Sequence, residues 1–397
     1  MFKNSSFLIF LFFLSFKIYP VHANIIRVLQ EESVSSFLIH PQNVSFIEWA
    51  NGEKIFLKRP LQLTCKKNMA TPTFLAAVET SKQGPAKINE IFFQGRLEFW
   101  SWPSSYFSKK KTNSKNGKKN LGCHLIQVLS LEDYVAMVVA KEINQNWPLE
   151  SLKAQAILAR TYVLKKKEEA LTKQPLPYDI KNSEFHQVNS DWRGLTLRTT
   201  LAAIETKGEV LWRKPNQIAE VFYSADCGGR TFLPEEIWGN ISSIGEEKEE
   251  DKKGVECDSC QEYRPKTWSF KITLAEFLKF LKLPFLKGEI FSSSDFILDY
   301  VPASWTVFEV ILAGKKYKVK KSDMRNFWGR NSILSHHFSL SRLRHDTLEI
   351  VGTGYGHGVG VCQTGVYQQG LQGKEYRDIL AYYLPSFFLA PFPSPEL

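Results

Sequence analysis

The chain has 397 residues, 43% of them hydrophobic, and a formal net charge of +10. That length admits two domains or one large elaborated domain, and the apolar content excludes a chain too polar to build a core. The positive balance suits a polyanionic partner: nucleic acid, an anionic membrane surface or an acidic cell-wall polymer.

The first residues narrow that choice. Residues 1–23 run MFKNSS, FLIFLFFLSF and KIYPVHA: a basic start, an apolar core and a small-residue exit at Val21-His22-Ala23. The apolar core, about ten residues, is shorter than the roughly 20 that a membrane span needs. Residues 1–23 are therefore expected to be a cleavable secretory signal, with the mature chain starting near Asn24. The alternative is an uncleaved anchor, in which case the membrane is met through this segment alone. Both place the body of the protein in the periplasm or cell envelope and argue against nucleic acid as its natural partner. No later apolar run reaches spanning length. The exported part holds six cysteines, an even count that permits disulfides.

From Ile25 to Trp102 short runs alternate apolar and polar residues (SFLIH, SFIEW, KIFLK, LEFWSW), the period of strands. SKKKTNSKNGKKN, 108–120, has no apolar face and is expected to be a solvated hairpin tip rather than a wall-binding patch. After the strand HLIQVL two helices follow. The first opens at Ser130, with Asp133 in capping-box position, and runs to Glu142. The second opens at Trp147-Pro148 with Pro148 at its first position, and carries an apolar stripe of Leu149, Leu152, Ala156, Ala159 and Val163. From Pro175 the elements shorten again. The charge run 246–254 is expected to be a solvated loop. LAEFLKFLKLP is expected to form a short amphipathic helix, and YRDILAYYL another. The fold class expected is α+β: a strand-rich part over 24–121, then a mixed catalytic region over 122–390 with two central helices and a glycine-rich loop.

Five features carry chemistry. Glu142 follows Val135, Val138 and Val139 on one helix face, so it prolongs an apolar stripe. Lost hydration there favours the protonated acid, which a general acid requires; a helix-end glutamate pointing outward is the competing possibility. On the second helix, Lys153, Gln155, Arg160 and Tyr162 are candidates for polar contacts, against an ordinary amphipathic helix with exposed cations. GTGYGHGVGVCQTG, 352–365, places glycines where a backbone must approach a ligand or another strand, with His357 among them. It lacks the βαβ setting of a dinucleotide site. SADCGGRT, 224–231, is a similar small-residue loop. Cys227, Cys257, Cys260 and Cys362 come from three loops and would satisfy tetrahedral zinc; two disulfides are the alternative. Cys65 and Cys123 would then pair or stay free.

SLEDYVAMVVAKEI, NWPLESLKAQAILARTYVL, YSADCGGRT with EEIWG, and GYGHGVGVCQTGVYQQGLQGKEYRDILAYYLP occur in the order of the stage II sporulation protein D (SpoIID) and amidase-enhancer family, which the chain resembles over about 25–385. The resemblance is strong in the named motifs and weak before Leu131. It implies a lytic transglycosylase that cuts peptidoglycan glycan strands stripped of stem peptides. It places the catalytic glutamate on Glu142. It implies substrate contacts at Lys153, Gln155, Arg160, Tyr162, Gln187, Ser224, Gly228, Gly229, Thr231, Gly356, His357, Gly358 and Gln363. Some relatives carry a zinc near these loops, which favours zinc at Cys227, Cys257, Cys260 and Cys362. That zinc would be structural and not required for catalysis. The sequence departs from the family at Ile143-Asn144, where Met-Pro often stands, at Thr364, where a Trp often follows the glutamine, and at 223–229, which lacks a usual histidine.

The implied reaction needs one acid/base. Glu142 would protonate the oxygen between N-acetylmuramic acid and N-acetylglucosamine, and the muramic acid C6 hydroxyl would close a 1,6-anhydro ring. The implied partners are glycan strands and, in the alternative role of a non-catalytic wall-binding activator, a cell-wall amidase.

Overall fold

The computed structural model describes residues 24–65, 71–81, 83–103, 121–171, 176–183, 194–239, 254–262, 267–283, 296–299, 305–312, 314–342 and 346–392. The expected signal segment, the basic loop 108–120, most of the charge run 246–254 and Gln187 lie outside them. The architecture is α+β, with a strand-rich N-terminal region.

Period-two patterning builds that region. A seven-stranded sheet runs in the order Ile180–Lys181, Ile25–Val34, Leu121–Ser130, Arg96–Pro103, Thr73–Thr80, Val44–Trp49 and Lys54–Ile55. A four-stranded sheet of Leu61–Thr64, Ser36–Ile39, Ala86–Ile88 and Ile91–Phe93 packs on it. Phe37, Ile39, Ile47, Val78, Leu97 and Phe99 fill the space between, with the Phe37 and Phe99 rings 5.1 Å apart. The Cys65–Cys123 disulfide ties the two sheets together. Strand Leu121–Ser130 lies between Ile25–Val34 and Arg96–Pro103, so the sheet continues across residue 121.

That strand runs straight into helix α1, Leu131–Glu142. Ser130 caps it as expected, accepting from Asp133 N–H, but the reciprocal contact differs from a capping box. The Asp133 carboxylate accepts from the Ser130 hydroxyl at 2.6 Å rather than from its backbone N–H. Helix α2, Leu149–Leu171, starts one residue later than expected. Pro148 stands outside it and its carbonyl accepts from Ser151 and Leu152 N–H. Helix α3, Leu197–Glu205, capped by Thr196, packs against both; the sequence was not read as helical there.

Two cores share α2. One face places Leu152, Ala156, Ala159 and Val163 against Val135, Val138 and Val139 of α1 and Ala202 and Ala203 of α3. The opposite face places Ala154, Ile157 and Leu158 in a core with Val221, Cys227, Cys257, Cys260, Val361, Cys362 and Ile379. A helix buried on both sides is not amphipathic in the ordinary sense, which corrects the one-stripe expectation.

The rest of the chain frames the loops. Helix α4 (Pro234–Trp238) follows the Cys227 loop, and helix α5 (Asp258–Glu262) carries Cys260. Residues 267–353 then form a unit with its own core of Phe277, Val310, Met324, Ile333 and Ile350. It holds helices α6 (Leu274–Phe280) and α7 (Lys321–Trp328) and two three-stranded sheets. The chain returns through the glycine-rich loop into α8 (Gln363–Leu371) and α9 (Tyr376–Tyr383).

Candidate functional site

Glu142 ends α1 on the face whose earlier members, Val135, Val138 and Val139, are each 0% exposed, and is itself half-buried. Its charge is felt by two tyrosines. Burial first, then neighbouring charges including Glu142, holds Tyr162 up at about 12, and Tyr134 well above its ordinary value. The turn after Glu142 is braced. Gln145 donates to Gly194 O at 2.9 Å, Arg198 grips the carbonyls of Gln145 and Trp147, and Trp147 stacks on Tyr367 at 4.8 Å. Sequence reasoning singled out none of Gln145, Arg198 and Tyr367. Their signal is tertiary, because each acts on a segment distant in the chain.

The two small-residue loops meet. Tyr223–Ser224 pairs in parallel with Val361–Cys362, and Asp226 and Tyr355 exchange backbone hydrogen bonds. Ser224 Oγ accepts from Gly358 N–H at 3.0 Å and donates to Tyr355 O at 3.3 Å. The glycines are required by this approach. A Cβ on Gly228 (φ +76°) would meet Thr353 O at 2.7 Å, and one on Gly356 (φ +108°) would meet Ser224 Oγ at 2.4 Å. Gly229 and Gly358 share the left-handed region, with φ of 118° and 74°. Thr231 pairs with Val255 through its backbone N–H and its hydroxyl. His357 Nδ1 accepts from Val359 N–H at 3.0 Å, which puts the ring proton on Nε2. Burial, then the nearby Arg325 and Arg330, pushes His357 down to about 4, so it is neutral at pH 7.

Gln363, first in α8, donates to Gln155 Oε1 of α2 at 3.2 Å. Both are buried, and Gln155 Nε2 has no hydrogen-bond partner among the described residues. These two side chains link the central helix to the glycine-rich loop, as their spacing could not show.

The cations behave differently from expectation. Arg160 is 0% exposed. Its Nε and Nη2 hold both oxygens of Glu132 at 3.2 and 2.5 Å, and its remaining donors reach Thr206 Oγ1, Ala203 O and Glu209 O. The guanidinium is thus spent inside the protein. Lys153 lies 2.8 Å from both Glu150 and Glu205; burial lowers its pKa, but these two partners outweigh burial and raise it. Neither is the exposed cation that an amphipathic helix would carry. Tyr162 packs between the two cores that share α2.

Cys227, Cys257, Cys260 and Cys362 converge. Their sulfurs all lie within 4.8 Å of one another, each is buried, and none is in a disulfide. Cys227 Sγ is 3.4 Å from Cys260 Sγ, Cys227 N–H donates to Cys362 Sγ at 3.3 Å, and Tyr383 OH lies 3.1 Å from Cys257 Sγ. Four sulfurs on tetrahedral zinc sit about 3.8 Å apart, given Zn–S near 2.3 Å. Burial first, then the neighbouring Cys257 and Cys260, holds the Cys362 thiol well above its ordinary value, so four ionised thiols would require a cation.

Residues 119–212 match the family model described as "SpoIID: Stage II sporulation protein", a stretch that contains α1, α2 and Glu142. The chain is 29% identical to an uncharacterised protein of Brachyspira hyodysenteriae, over 65% of this chain and 66% of that one. It is 28% identical to stage II sporulation protein D of Bacillus subtilis, over 65% of this chain and 74% of that protein. The chain thus carries a segment similar to the SpoIID family. That segment holds the strand Leu121–Ser130 and helices α1, α2 and α3, with the half-buried Glu142 at the end of α1, while the paired loops and the cysteine cluster lie beyond residue 212. The amidase enhancer of Bacillus subtilis is 25% identical over 64% of this chain but only 40% of its own length. The SpoIID match fits a protein of the cell wall. No helix among the described residues is long and apolar enough to cross a membrane.

Proposed function

We propose that this protein is an exported lytic transglycosylase acting on peptide-stripped peptidoglycan glycan strands. One observation carries the proposal: a carboxylate, Glu142, half-buried at the end of a helix face that is otherwise fully sealed valine. Protonated, Glu142 donates to the glycosidic oxygen between N-acetylmuramic acid and N-acetylglucosamine. The C–O bond breaks, and the sugar's own C6 hydroxyl adds to C1 while its proton passes to the Glu142 carboxylate. The products are a free 4-hydroxyl on one fragment and a 1,6-anhydro end on the other. Because the nucleophile belongs to the substrate, one acid/base is enough, unlike hydrolysis with its carboxylate pair.

The paired loops supply the polar lining. The turn around Gly356, His357 and Gly358 would meet sugar hydroxyls and N-acetyl groups, with Ser224, Gly228, Gly229 and Thr231 setting the loop's shape and the buried Gln155 bracing that loop from α2. Gln363 orients Gln155. Arg160 and Lys153 act by holding α2 in place, and Tyr162 by packing between the two cores. Gln187, outside the described residues, remains a candidate contact from the sequence.

The four cysteines fit a structural zinc that clamps the loops at 227, 257–260 and 362; when bound it supplies no chemistry to the reaction, since an all-thiolate site is closed. Tyr383 would steady the Cys257 ligand.

A second reading is supported by the relative named amidase enhancer: a wall-binding protein that activates a cell-wall amidase. Digestion of amidase-treated glycan strands, with mass spectrometry for anhydro ends, separates the two. Release of anhydro fragments supports the enzyme; binding without release supports the activator.

A further inference from the structure

Lys321 opens α7, on the unit 267–353 that enters the chain between the cysteine loops and the glycine-rich loop. The residue is 5% exposed. Its ammonium lies 5.1 Å from the centroid of the Phe338 ring and has no carboxylate or hydrogen-bond partner among the described residues. Burial holds it down at about 8, so it remains mostly charged at neutral pH. A largely buried cation without a counter-charge lowers stability unless a ligand supplies that charge.

Its surroundings point to the glycan site. Lys321 N–H donates to Thr306 O at 2.8 Å. The preceding residue, Trp305, is 42% exposed and lays its ring 5.1 Å from His337 and 5.5 Å from the Arg230 guanidinium. His337 accepts from Thr353 N–H through its carbonyl, is hydrogen-bonded to the Cys227 backbone, and leaves Nδ1 buried without a partner. Both histidines at 336 and 337 feel the Lys321 charge. Arg230 is already held by Glu236 at 3.2 Å and Glu256 at 3.8 Å. Lys321 is thus a cation near the paired loops without a carboxylate among the described residues, whereas Lys153 and Arg160, the cations first assigned to the sugar, are held by carboxylates and the nearby Arg325 is held by the carbonyls of Ile333 and Leu334.

We propose that Lys321 is the anion-reading residue of this site, and that its ligand is a carboxylate borne on a sugar-ring substituent, as on a muramic acid whose stem peptide has been removed. The proposal rests on the glycan-cleaving function above. Trp305, half-exposed beside it, would cover the same sugar.

Calorimetric titration of the full chain with three tetrasaccharides tests it: a peptide-free peptidoglycan fragment, its carboxyl methyl ester, and chitotetraose. Wild type should prefer the free acid by about tenfold over the other two, the scale of one charge-assisted hydrogen bond. Lys321→Met should bind all three as wild type binds the neutral pair. That substitution replaces a buried charge with an apolar chain of similar length, so its melting temperature should hold or rise. The ester comparison needs no variant and stands even if the variant misfolds. Wild type that binds acid and ester equally, or Lys321→Met that keeps the preference, overturns the assignment to Lys321. If wild type neither binds nor cleaves any glycan, the enzymatic function falls and this inference with it. Cleavage with no acid preference overturns Lys321 alone.

Discussion

Arg160 and Glu132 face each other across α2 and α1 in a two-pronged ion pair, with the arginine 0% exposed. The same guanidinium holds Thr206 and the carbonyls of Ala203 and Glu209. One side chain thus joins α1, α2, α3 and the strand after it, which is the frame that carries Glu142. Arg160→Ala should cost about 3–5 kcal/mol of stability, since it strands buried acceptors and a carboxylate. Arg160→Lys should not restore it, because an ammonium cannot reproduce the fork. Chemical denaturation of the full chain measures both; a loss below about 1 kcal/mol would show the pair to be incidental.

The cysteine cluster predicts a bound metal. Protein purified without added zinc should contain about one zinc per chain, and Cys362→Ser should lose it and melt at lower temperature. A chelator should lower the melting temperature of wild type but not of the variant. Metal-free wild type of unchanged stability would contradict the clamp.

His336 predicts an acid-sensitive fold. Burial, then Arg325, holds it at about 4, against about 6.5 in an unfolded chain. Between those values the unfolded chain binds the extra proton. Stability is therefore fully present above about pH 6.5 and falls as pH drops toward 4, by up to about 3 kcal/mol. His336→Asn, which can still donate to His357 O, should flatten this slope. Denaturation midpoints from pH 4 to 7 decide it, and equal slopes would exclude His336 as the cause.

Gly356→Ala should destabilise by roughly 1–3 kcal/mol, from a left-handed φ and a Cβ at 2.4 Å from Ser224 Oγ. Ser224→Gly in the same chain removes that clash and should recover part of the loss. No recovery would mean that backbone strain alone sets the penalty.

Much of this was legible in the sequence. The alternating runs before Trp102 gave strands, Ser130 gave the start of α1, and the run of valines placed Glu142 on a sealed face. Four cysteines from three loops gave the cluster, though not its geometry. The two faces of α2 were not legible. Ala154, Ile157 and Leu158 read as filler between the stripe and the cations, because the second core is assembled from residues after 210. For the same reason Arg160 looked exposed, its partners lying 28 to 49 positions away. Helix α3 went unread although Leu197, Leu201 and Ile204 recur at helical spacing; those residues are exposed, and the face that packs is the small pair Ala202 and Ala203, which carries little hydropathy signal. Lys321 was missed because burial of a lysine leaves no mark in its neighbours' spacing.

The central claim is that Glu142 performs the chemistry. Incubation of wild type and Glu142→Gln with amidase-treated glycan strands, followed by mass spectrometry of the released fragments, tests it most directly. The amide keeps the shape of the side chain and removes its proton transfer, so the folded variant should still bind strands. Wild type should release 1,6-anhydro-muramic acid ends and Glu142→Gln at least a hundredfold fewer, the range of general acid–base catalysis. Equal release by both proteins would contradict the claim.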